Sequence, residues 1–145
     1  MDCQASGSAV VIHKVQEIYG VGRASRMQDL YAMEDGWDGK DAKRLSDQSI
    51  FMFLSFTERF GKVADDIAMF LDPDGNLDIN WSYFIDDVKK QGRCRNTRHV
   101  QILFCPGGPE VFLDEFRDQE AKPMTLDSPE LIAVIEKYRT HRLPS

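Results

Sequence analysis

Between Ser46 and Gly61 the apolar residues Ile50, Phe51, Phe53, Leu54 and Phe60 recur at helical spacing, and from Ile67 onward the repeat shortens to two. Ser46 is placed to accept the orphan amides of a first turn and Gly61 to end the last, so this segment reads as a central buried helix. Four phenylalanines between Phe51 and Phe60 would leave a large apolar patch on a solvated helix, which therefore has to pack against a sheet or a partner. Ile67, Met69 and Leu71 alternate, Pro73-Asp74-Gly75-Asn76 makes a turn, and Leu77, Ile79 and Trp81 alternate again. This is a β-hairpin. Tyr83 to Val88 either continues its second strand or begins another. Val100, Ile102 and Phe104 share one face of a strand over Val100 to Cys105, Cys105 to Pro109 reads as a turn, and Val111 to Phe116 as the last strand.

Toward the N-terminus, Val11, Val15, Ile18 and Tyr19 favour a helix over Ala9 to Tyr19, although Val10-Val11-Ile12 is β-branched enough for a short strand. Gly20 and Gly22 break that segment. Met27, Leu30, Tyr31 and Met33 then predict a short second helix over Ala24 to Glu34, ending at Gly36. After a polar connection, Ser128 as a cap, Pro129 at the first helical position and Leu131, Ile135 and Tyr138 at helical spacing predict a closing helix. The fold class is α+β: N-terminal helices packed on a roughly four-stranded antiparallel meander, with a C-terminal helix. No repeat or linker divides residues 1–145, so one domain is expected.

Charge changes this picture at one place. The chain carries a formal −6 with a pI near 5.0, which argues against generic binding of polyanions. Yet Lys89, Lys90, Arg93, Arg95 and Arg98 fall within eleven residues that hold no acid, so the segment's +5 is set against −11 for the rest. A cationic loop on an anionic body suits docking to an acidic protein patch or a phosphate backbone, and these five residues are the candidate partner-binding set. The competing reading is a solvated hairpin loop paired to Asp86 and Asp87. The loop contains no aromatic side chain for base stacking, which weakens an RNA-binding role.

Three cysteines, Cys3, Cys94 and Cys105, form no disulfide framework, and the longest apolar runs fall far short of a membrane span of ~20 residues. With an acid at Asp2 and no basic leader, a cytoplasmic setting in the host cell is expected. Cys94, His99 and Cys105 raise two chemical readings, a metal site and a thiol nucleophile with a histidine base; the flanking arginines would favour a Cys94 thiolate. A structural zinc site wants paired short spacings of four ligands, and a catalytic thiol wants an oriented base. A free loop thiol and a buried strand cysteine need neither. Asp72 to Asp78 places oxygens at alternate positions like a calcium loop, but the positions that require glycine and a bidentate glutamate hold Leu77 and Tyr83, so a hairpin turn covers the same residues. No catalytic residue, cofactor or metal ion is assigned.

Gly36-Trp37-Asp38-Gly39, Ala42, Leu45-Ser46, the helix that follows, Pro73-Asp74-Gly75 and Leu77-Asp78-Ile79-Asn80-Trp81 together resemble a family of small uncharacterised bacterial and phage proteins. Members share a G-W-D-G-x-x-A segment, a helix and a P-D-G hairpin ending in tryptophan. The resemblance covers residues 28–85 and implies an α+β fold and a bacterial or mobile-element setting, without an activity, substrate or catalytic residue. It suggests a non-enzymatic interaction protein that masks a partner's surface, either an anti-CRISPR-like inhibitor of a bacterial defence complex or an antitoxin-like immunity protein. The alternative is a nucleic-acid-associated regulator that uses the basic loop 89–99. Trp37 is expected to pack against the Ser46 to Phe60 helix and the hairpin ending at Trp81, with its glycines setting the turn.

Overall fold

A computed structural model describes residues 3–85, 96–113 and 122–140. Its elements are α1 (Cys3–Tyr19), α2 (Val21–Ala32), α3 (Asp47–Phe60), β1 (Ala68–Leu71), β2 (Leu77–Ile85), β3 (Asn96–Cys105), β4 (Gly108–Leu113), β5 (Lys122–Pro123) and α4 (Pro129–Tyr138). The strands pair in chain order as an antiparallel meander. The α+β class and the N- and C-terminal helices are those expected; the sheet has five strands rather than four because Lys122 and Pro123 add a short rung to β4.

Local chemistry fixes the helix ends. The Ser46 hydroxyl accepts from the Ser49 amide at 3.3 Å, and Gly61, at φ 68°, donates to Thr57 O at 2.8 Å, so α3 starts and stops where the sequence predicts. Ser128 caps α4 in the same way, accepting from the Leu131 amide at 3.2 Å ahead of Pro129. Gly20, at φ 96°, separates α1 from α2, whereas Gly22 lies within the first turn of α2 rather than breaking the chain. That helix ends at Ala32, short of Gly36, because Met33 turns extended and the following residues enter a separate loop.

The period-two pattern sorts the sheet into two faces. Met69, Leu71, Leu77, Ile79, Trp81, Val100, Ile102, Phe104, Val111 and Leu113 are buried, and the register stacks them in rows such as Met69, Ile79, Ile102 and Val111. Phe53 and Phe56 of α3 meet Phe104 edge-on at ring separations of 5.4 and 5.2 Å. The α4 helix closes the same face: the Trp81 indole N–H donates to Tyr138 O at 2.9 Å and Tyr138 packs on Tyr83. Phe51 departs from the expected stripe. It is 71% exposed, because one hundred degrees per residue carries it off the face that Ile50, Phe53 and Phe56 bury.

At the other margin α2 runs along β1. Arg23 donates to Ile67 O at 2.7 Å and Arg26 to Met69 O at 2.9 Å, so guanidinium groups occupy carbonyls that an edge strand would otherwise leave open. Ile85 ends the described part of β2 and Leu113 that of β4, so the expected continuations to Val88 and Phe116 lie outside the described residues.

Candidate interaction surface

The loop between α2 and α3 and the turn between β1 and β2 form one unit. Inside the loop, Gly36 N–H donates to Ala42 O, the Asp38 carboxylate accepts from the amides of Lys40 and Ala42, and the Asp35 carboxylate accepts from the Arg44 amide. The indole N–H of Trp37 donates to Lys43 O at 2.9 Å, and its ring rests half-buried against the core. The Trp37 indole thus ties its own loop, and backbone bonds join that loop to the hairpin: Lys43 N–H to Pro73 O and Ser46 N–H to Gly75 O, each 2.8 Å. The G-W-D-G and P-D-G segments are two halves of a clasp. Asp72 holds the turn itself by accepting from the amides of Asp74 and Asn76, which is the hairpin-turn use of these oxygens.

This clasp sets one end of the outer sheet face. Alternation and register place Phe70, Asp78, Leu103 and Glu110 in one row across β1 to β4, and Asn80, Gln101 and Phe112 in the next. Ser82 and His99 lie opposite one another beyond them. Phe70 is 48% exposed, while Leu103 and Phe112 are half-buried. The polar side chains are tied to each other. Gln101 Nε2 donates to one oxygen of Asp78, Asn80 Nδ2 approaches the other at 3.4 Å, and Ser82 Oγ meets His99 Nδ1 at 2.9 Å. Arg26 lies with its guanidinium carbon 5.6 Å from the centre of the Phe70 ring, at the β1 margin.

Burial raises Asp78 above its ordinary value; the hydrogen bonds from Gln101 and Asn80 pull it down, and the Asp72 charge adds to the rise. Cys105, on the same face, is pushed up to about 11, first by burial and then by the Glu110 and Asp72 carboxylates, with a smaller push from Asp74. In both groups burial leads, and neighbouring carboxylates add to the rise. An open cleft of about 650 Å³ is lined by the loop itself, with Lys40, Lys43 and Arg44 beside Asp35, Asp41 and Asp47.

The expected partner-binding cations are not among the described side chains. Lys89, Lys90, Arg93 and Arg95 lie outside the described residues, as does Cys94; Arg98 is placed only by its backbone, in β3 opposite Tyr83. His99 and Cys105 share a face but stand six residues apart on one strand, roughly 20 Å at the rise of an extended chain, so they form no thiol–imidazole pair. Among the described residues no group of three His, Cys, Asp or Glu side chains is arranged to hold a metal ion, and no helix is long and apolar enough to cross a membrane.

Sequence reasoning missed the outer face although its signal was present. The positions that alternate with the core residues of β2 and β3 are Asp78, Asn80, Ser82, His99, Gln101 and Leu103. Comparison with protein-family models, curated proteins and solved structures gives no match.

Proposed function

We propose that the protein is a non-enzymatic interaction module that covers a partner's surface with the outer face of its sheet. The observation that carries this reading is the combination of exposed Phe70 with half-buried Leu103 and Phe112 around polar side chains that are already bonded to one another. A surface fixed before contact loses little conformational freedom on binding, and aromatic groups supply the apolar area. The helices that bury the opposite face, α3 and α4, leave these positions to be used. Inhibition of a bacterial defence complex, or an antitoxin-like immunity role, is the form this activity takes if the resemblance of residues 28–85 to phage and bacterial proteins holds.

The test is capture of a stoichiometric partner from the native host with wild-type protein and with a Phe70→Ser, Phe112→Ser variant that retains its circular dichroism. Wild type should retain the partner and the variant should lose it. Equal recovery by both would remove the outer face from the interaction. A second reading, a nucleic-acid-associated regulator, is favoured by the five cations between Lys89 and Arg98. It requires binding to DNA or RNA that weakens steeply with salt and collapses when Arg93, Arg95 and Arg98 become alanine.

A further inference from the structure

We draw no further inference here: the strongest candidate, the open cleft of the loop between α2 and α3 with its three cations and three carboxylates, carries nothing, because all six of those side chains are exposed and nothing among the described residues shows what the cleft would hold.

Discussion

The carbonyl oxygen of Arg44 stands 2.5 Å from the point that a Cβ on Gly75 would occupy, so the loop and the hairpin turn meet where only a glycine fits. Gly75 also has φ +87°, a conformation that an L side chain resists by about 1–2 kcal/mol. Gly39, at φ +80°, has open space around its missing Cβ. Gly75→Ala should therefore cost about 2–4 kcal/mol, strain and overlap together, while Gly39→Ala costs about 1–2 kcal/mol of strain alone. Urea unfolding of the two variants measures the difference. Equal losses would mean that the close approach contributes nothing.

Ser49 ties the clasp to the helix behind it. Its side chain is wholly buried in α3 and its hydroxyl accepts from the Leu77 amide at 2.7 Å, at the first residue of β2. Replacement by alanine leaves a buried N–H without that acceptor, at a cost of about 1–3 kcal/mol. Amide exchange at Leu77 should quicken in Ser49→Ala at least as much as global stability falls. An unchanged exchange rate there would contradict the assigned bond.

The pH dependence of stability follows from Asp78, whose folded pKa lies above its ordinary 3.8 because burial outweighs its hydrogen bonds. A raised folded pKa means that the folded chain holds the proton more tightly than the unfolded one. Below the unfolded value the carboxyl is protonated in both states and costs nothing; as pH rises through the folded value the fold bears the ionisation of a desolvated acid, and this persists above it. The stability of Asp78→Asn relative to wild type should thus be greatest near neutral pH and should decline as pH falls toward about 3.5. A relative stability that grows on acidification would reverse the sign and refute the assignment.

Cys105 should be a slow thiol. Moving from 9.0 to about 11 lowers its thiolate fraction at pH 8 by roughly 100-fold, and the thiolate is the species that reacts. In a Cys3→Ser, Cys94→Ser background, alkylation of the native protein at pH 8 should run slower than that of the unfolded chain by about that factor. Glu110→Gln should recover part of the rate, since Glu110 is the leading charge acting on the thiol.

What the sequence disclosed was local in origin. Ser46, Gly61, Ser128 and Pro129 act on the residues beside them, and the alternation of Leu77, Ile79 and Trp81 needs only a neighbouring strand to become a buried face. That the Trp37 loop and the hairpin belong together was expected, but the bonds that join them were not legible, because Lys43, Ser46, Pro73 and Gly75 meet through backbone atoms that every residue possesses. Phe51 misled for the opposite reason: its type suggests a core position, yet its angle on α3 turns it outward. Of the candidate site, the charge run from Lys89 to Arg98 is dense and contiguous, whereas the outer face is spread over four strands and becomes a surface only once their register is fixed.

Arg23 and Arg26 have a consequence beyond bracing α2. By engaging the carbonyls of Ile67 and Met69 they occupy the hydrogen-bonding margin of β1, so a strand arriving from another molecule would have to displace two guanidinium groups before it could extend the ladder. The sheet is terminated chemically on that side, and on the other it tapers to the two residues of β5. Growth into fibrils by edge addition is disfavoured at β1, which lets Phe70 remain exposed beside that edge without inviting strand-to-strand polymerisation.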